Sequence, residues 1–256
     1  MLKKRLIFVL HWDSGSFILS RNFSLQTVGN LKWIQDHYDF DSISTAIDEL
    51  VVLNVSRENK DIIPFSKALK LLTKNCFMPL AAGGGIRKTS DAKLLLNSGA
   101  DKIILNSSLF ENQQLIRELV NTYGSQCIVA SIDYREENNK KIVYTYDGTK
   151  TTGFTVEEAI EILKENKVGE IILNSIDQDG TGGNYDVTTI KRISNLTEIP
   201  LIPLGGAGKP EHFINIINEC NVNAVATANL FYFMSDGLKE ARKKMVDAGI
   251  DMAKWG

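Results

Sequence analysis

The stretch Pro79 to Ser107, PLAAGGGIRKTSDAKLLLNSGADKIILNS, constrains the fold more than any other. An apolar run enters three glycines, Gly83, Gly84 and Gly85. A helical pattern follows from Thr89 to Asn97 and stops at Gly99, and a second apolar run, Ile103 to Leu105, ends in Asn106 and Ser107. Strand, glycine turn, helix, strand and polar pair make a βαβ unit with ligand-ready groups at the carboxyl end of each strand. Glycine has no Cβ, so backbone N–H groups at such a turn can approach an anion closely. The unit recurs half a chain later: PLIPLGGAG from Pro200 to Gly208, a helix from Pro210 to Glu219, then AVATAN from Ala224 to Asn229. This repeat predicts an α/β fold, a single (β/α)8 TIM barrel over residues 1–256. It would be built from two four-strand halves with two phosphate-binding turns on one face.

The length, 256 residues, suits one such barrel, for which about 250 is typical. Hydrophobic residues make up 43% and charged residues 23%, enough apolar surface for a full core. A formal net charge of −2 with no block of like charge argues against a nucleic-acid partner. Cys76, Cys127 and Cys220 are far apart without CxxC spacing, which suits a reducing cytoplasm, and Cys127 reads as a small core residue. No signal-peptide pattern or apolar run of about 18 residues is visible. The expectation is a cytoplasmic protein without a membrane partner.

Along the chain, Leu6 to Leu10 reads as the first strand. Asp13 to Gly29, with Gly15, Ser16, Arg21 and Asn22, reads as a long loop that acts as a lid. A short helix is expected from Leu31 to Tyr38, a small insertion from Asp39 to Ile47, strand two from Glu49 to Val55 and helix two from Ile62 to Asn75. After the central unit come a helix from Asn112 to Tyr123 and strand five from Cys127 to Asp133. The alternating segment Arg135 to Lys150, with Asp147-Gly148 as turn, predicts a β-hairpin. Thr155 caps the next helix with Glu158 at the capping-box position. Strand six runs from Glu170 to Ser175, and Ser235 to Ala248 is the closing helix.

Barrel active sites sit where strands end. Here those ends carry His11, Asn54, the glycine turns, Asn106 with Ser107, Asp133, Asp179 with Gly180, and Ala228 with Asn229. Asp133 is the best acid–base candidate, and His11 is a second. His37 and His212 read as surface helix residues. No His, Cys and Asp grouping has metal spacing, and no cofactor is called for. At the strand starts stand Arg5, Glu49, Lys102 and Glu170; composition alone makes them ordinary ion pairs.

These residues lead to a family. The motifs DELVVL, AGGGI, GADKIILN, SID, GEIILNSIDQDGT, and GGAGK followed by HF resemble the cyclase subunit of imidazole glycerol phosphate synthase, HisF, over nearly the whole chain. The resemblance implies a two-phosphate barrel that joins a HisH-like glutaminase at the strand-start face and passes ammonia through the barrel to a phosphorylated substrate. It implies phosphate contacts at Gly84, Asn106, Ser107, Asp179, Gly180, Gly206, Ala228 and Asn229. It also implies a catalytic aspartate at Asp133 and a charged ammonia gate formed by Arg5, Glu49, Lys102 and Glu170.

The chain also departs from that pattern. His11 stands where the family has its first catalytic aspartate, Leu19 where it has a lysine, with Arg21 nearby, Asn54 where it has an aspartate, and Leu204 where it has a serine. A kept gate with altered chemistry resembles divergent paralogues that work with a glutaminase and a separate sugar amidotransferase, making acetamidino sugars for bacterial surface glycans. An ordinary cyclase of histidine biosynthesis and a catalytically dead ammonia conduit are the alternatives.

Overall fold

The computed structural model describes residues 3–37, 43–58, 60–74, 78–229 and 236–253. Tyr38, residues 39–42 of the expected insertion, Asn75, Cys76 and Ser235 lie outside them. The first strand, β1 (Arg5–Asp13), does not run into a loop. It turns back through Ser14 and Gly15 into the antiparallel pair β2 (Ser16–Arg21) and β3 (Ser24–Asn30). The turn between them places Asn22 and Phe23 at φ of 50° and 62°, the left-handed geometry that matches strand twist in tight hairpins. The expected lid loop is thus an ordered hairpin, encoded by apolar residues on both sides of Asn22-Phe23.

The chain then alternates. In order come α1 (Leu31–His37), β4 (Glu49–Asn54), α2 (Ile62–Thr73), β5 (Leu80–Gly83), α3 (Thr89–Leu96), β6 (Lys102–Leu105), α4 (Ser108–Glu111) and α5 (Gln113–Tyr123). The strand expected to stop at Asp133 continues as β7 (Ile128–Glu137) and pairs antiparallel with β8 (Lys140–Thr145), which pairs with β9 (Lys150–Thr155). There are two turns, one at Asn138–Asn139 and one at Tyr146–Gly148, all at positive φ. Next follow α6 (Val156–Glu165), β10 (Glu170–Ser175), α7 (Val187–Ser194), β11 (Leu201–Leu204), α8 (Pro210–Glu219), β12 (Ala224–Thr227) and α9 (Gly237–Asp247). The helix starts are set by side chains. Asp61 accepts from Ile63 N–H at 2.9 Å, and Thr155 and Glu158 cap α6 reciprocally.

Parallel pairing runs β12-β1-β4-β5-β6-β7-β10-β11. The outer strands of this curled sheet, β11 and β12, lie against each other, and Asn223 N–H donates to Leu201 O at 3.2 Å. The architecture is α/β with a curled parallel sheet, as a TIM barrel requires. Strand periodicity divides the apolar residues into two clusters. Leu6, Phe8 and Leu10 of β1 join the shell under the helices. Ile7 and Val9 face inward with Val51, Ala81, Ile104, Val129, Ile172, Ile202 and Ala226.

The same parity places Arg5, Glu49, Lys102 and Glu170 below that inner cluster and His11, Asp133 and Asn174 above it. The closing helix is fastened at the strand-start side, where buried Arg242 donates to Asp48 Oδ2 at 2.8 Å and Oδ1 at 3.1 Å, while Leu6 N–H donates to the same carboxylate at 2.8 Å. His212 is buried, contrary to the surface position expected of it. Its Nδ1 accepts from Gly208 N–H at 3.2 Å, so it fastens the glycine turn to its helix. Burial lowers its pKa. Cys127 and Cys220 are free and buried.

Candidate functional site

The strand-start charges form a closed ring. Arg5 donates to Glu49 at 2.8 Å and to Glu170 at 2.6 Å; Lys102 donates to both at 2.9 Å. Each cation lies between two anions and each anion between two cations. Burial opposes the charge on Arg5, yet Glu170 and Glu49 outweigh it and raise its pKa. Glu49, 3% exposed, has its pKa raised by burial despite Lys102 and Arg5.

At the strand-end side the first glycine turn opens onto a cavity of about 320 Å³. Gly84, Asn106 and Ser107 line it together with His11, Asn54, Asp133 and Asn174, and Arg57, Lys60 and Arg87 supply positive charge. Gly84 lies at φ 99°, and a Cβ there would be 2.2 Å from Asn54 O; the position needs glycine. Two amides hold the Asp133 carboxylate: Asn174 donates to Oδ1 at 3.0 Å and Asn106 to Oδ2 at 3.1 Å. Desolvation in the cavity wall still pushes its pKa up to about 7, with Asp147 and Asp179 adding to the rise and Asn174 and Lys60 opposing it. An acid near neutrality can both give and take a proton.

Three buried side-chain atoms lack a hydrogen-bond partner among the described residues: His11 Nδ1, Asn54 Nδ2 and Asn174 Oδ1. All three belong to residues that line this cavity. Buried polar atoms are rarely left unpaired in folded proteins, and each exception calls for a partner such as a water, an ion or a ligand, or for a catalytic role. Burial lowers the pKa of His11, with Asp179 acting the other way, so its imidazole is held neutral.

The second turn is different. Asp179, Gly180, Gly206, Ala228 and Asn229 come together, but around a space of only about 20 Å³ shared with Leu19 and Leu204. Asp179 is 5% exposed and already engaged. Its Oδ2 accepts from Ser20 Oγ at 2.5 Å and Phe23 N–H at 3.0 Å, and its backbone O accepts from Asn22 N–H at 2.9 Å. The β2–β3 hairpin is thereby tied down over the turn. Asn184 N–H donates to Gly206 O at 3.0 Å.

The sequence pattern had not singled out Asn174, Ser20 or Lys60, and had read Asp147 only as a hairpin turn. Asn174 was accessible by parity, since it follows Glu170 and Ile172 on one face of β10. Lys60 and Asp147 pair with each other across the cavity mouth, a contact between distant loops that no local pattern encodes. Among the described residues, no group of three or more His, Cys, Asp and Glu could hold a metal, and no helix is long and apolar enough to cross a membrane.

A family model described as histidine biosynthesis protein matches residues 39–236. A Caulobacter vibrioides protein, imidazole glycerol phosphate synthase subunit HisF, is 36% identical over 98% of this chain and 96% of its own length. The chain belongs to the HisF family. Other HisF-family relatives cover it as fully. A Parasynechococcus marenigrum protein, described provisionally as imidazole glycerol phosphate synthase subunit hisF2, is 40% identical over 100% of this chain and 95% of its own. A Natranaerobius thermophilus subunit HisF is 32% identical over 98% and 99%.

Proposed function

We propose that this chain is the barrel subunit of a HisF-type glutamine amidotransferase complex whose strand-end chemistry has diverged. A glutaminase docks on the strand-start face, ammonia enters through the ring of Arg5, Glu49, Lys102 and Glu170, and it follows the barrel lumen to the cavity above. The two half-barrels each contribute a glycine turn to that face. The first, at Gly84, Asn106 and Ser107, seats a phosphate, where backbone N–H groups and nearby Arg57 and Arg87 favour an anion. Asp133 acts as the acid–base group, positioned by Asn106 and Asn174, and His11 is its neutral counterpart.

One contrast carries this reading: the charged ring is complete, while the opposite rim has His11 and Leu19 in place of the family's acid and base. Four ionised groups at a barrel floor are costly to bury, and a docking and conduit role gives a reason to keep them. We read the ammonia as serving amidation of an acetamido sugar by a separate amidotransferase, the role of the paralogues that the sequence resembles. The hisF2 designation of the 40% relative agrees with a paralogue. Ordinary cyclase chemistry is the second reading, favoured by Asp133, whose pKa of about 7 still suits acid–base work.

The discriminating experiment supplies ammonium and the ribulose-phosphate ribonucleotide, with the Caulobacter relative as control. Loss of one acid–base group predicts turnover slower by about 10² to 10⁴-fold. Turnover equal to the control's would return the chain to the ordinary cyclases.

A further inference from the structure

We propose that the cavity takes a small hydroxyl-rich molecule carrying a single phosphate, a sugar monophosphate in chemical class, and that no second phosphate is seated. The proposal rests on the reading of the first glycine turn as a phosphate cradle. It departs from the two-phosphate substrate that the resemblance implies.

Volume is the first argument. The space at the second turn, about 20 Å³, is room for about one water, and a phosphate with its contact shell is several times larger. The closure is built in from three sides. Leu19 and Leu204 put apolar side chains into the space. Asp179 holds the β2–β3 hairpin down through Ser20 and Phe23. A Cβ at Gly206 would lie 1.9 Å from Asn184 O, so the loop after β10 already rests against the turn from above.

Charge is the second argument. Among the described residues lining the second space, the only ionisable side chain is Asp179, whose carboxylate repels an anion. The first cavity has Arg57, Lys60 and Arg87 on its wall together with Glu111, Asp133 and Asp147; Lys60 pairs with Asp147 and Glu111 with Lys150, which leaves Arg57 and Arg87 to face an anion. One end of the site attracts phosphate and the other does not.

The third argument concerns the rest of the ligand. Asn54, 1% exposed, leaves Nδ2 without an acceptor; Asn174, 7% exposed, leaves Oδ1 without a donor; His11, 8% exposed, leaves Nδ1 unmet. Each of these atoms is closed off from the cavity as the side chain stands, so a ligand meets it only after that side chain turns; a hydroxyl, donor and acceptor at once, then pairs with any of the three. With a phosphate at Gly84 and Ser107, hydroxyls beside Asn54, His11 and Asn174 satisfy the wall once those side chains turn inward.

Two measurements test this. Crystals soaked in inorganic phosphate should show density at Gly84 and Ser107 and none at Gly206 and Asn229. Calorimetry should then give ribose 5-phosphate and ribulose 1,5-bisphosphate affinities within about threefold, whereas a second seated phosphate tightens binding by about tenfold or more. Leu19→Lys combined with Leu204→Ser should open that gap. Density at both turns, or a bisphosphate preference in the unaltered protein, overturns the single-phosphate proposal and leaves the cradle reading standing. Density at neither turn, with neither sugar phosphate bound, overturns both.

Discussion

The two ends of the curled parallel sheet treat buried polarity in opposite ways. At the strand starts every member of the ring has partners on two sides, and Asp48 answers Arg242 with both of its oxygens. At the strand ends three buried atoms have none among the described residues, and the carboxylate held by two amides is still pushed to about 7. The same strands run between these ends with the same alternation of inward and outward residues. The difference is therefore in the side chains chosen, and it separates groups that complete each other within the chain from groups that await something outside it. Unmet polar atoms cost stability, which is the usual signature of a binding surface.

Cutting the ring should have the largest effect. Removing one partner of a buried pair costs about 3–5 kcal/mol. Glu49→Ala leaves Arg5 and Lys102 with Glu170 alone, so a loss of about 3 kcal/mol in urea unfolding is expected. Replacing all four members with Met and Leu should recover most of that stability, because apolar residues of similar volume often match a buried ion network. If Glu49→Ala costs under about 1 kcal/mol, the ring behaves as surface ion pairs do and the contrast between the two ends collapses.

The strand-end rim should answer in the other direction. The Asp133 carboxyl titrates near 3.8 when unperturbed and at about 7 in the fold. Between those values the folded state binds more protons, so its stability falls as pH rises. The penalty is absent below about 3.8, grows through the interval and is complete above about 7. Asp133→Asn should therefore flatten the pH–stability profile over that window and make the protein more stable than the wild type at pH 8. Equal slopes for the two proteins would mean that Asp133 is solvated and not poised.

How much of this was visible in the chain depends on what kind of contact makes it. The strands and helices of the repeated βαβ units were legible because each is specified locally, by an apolar run, a glycine stop or a cap such as Thr155 with Glu158. The ring residues were placed at strand starts by position alone, though only the family resemblance gave a reason for four charges to meet. The β2–β3 hairpin was missed because an Asn22-Phe23 turn without glycine looks like loop, yet both residues adopt the left-handed geometry. His212 was misjudged because its burial comes from the Gly208 turn folding back on it. The closure of the second turn was not legible. It follows from Asp179 reaching Ser20 across most of the chain, and no spacing rule carries that.

His11 offers the finest test of the contrast. Its Nδ1 is buried without a partner and burial lowers its pKa, so the fold holds a neutral imidazole and gains nothing from one of its nitrogens. Replacing such a group with an apolar one of similar size removes a desolvation cost without leaving a new unpaired atom. His11→Leu is expected to stabilise the protein by about 1 kcal/mol at neutral pH. The pH dependence has a definite sign. Unfolded histidine takes up a proton below about 6.5, the folded His11 resists it, and so the wild type loses stability as pH falls through and below that value. The gain from His11→Leu should be larger at pH 5 than at pH 8, opposite in trend to that of Asp133→Asn. Both gains should come with weaker binding of ribose 5-phosphate. A destabilised His11→Leu protein would mean that Nδ1 has a structural partner, and the strand-end rim would then be as self-satisfied as the ring.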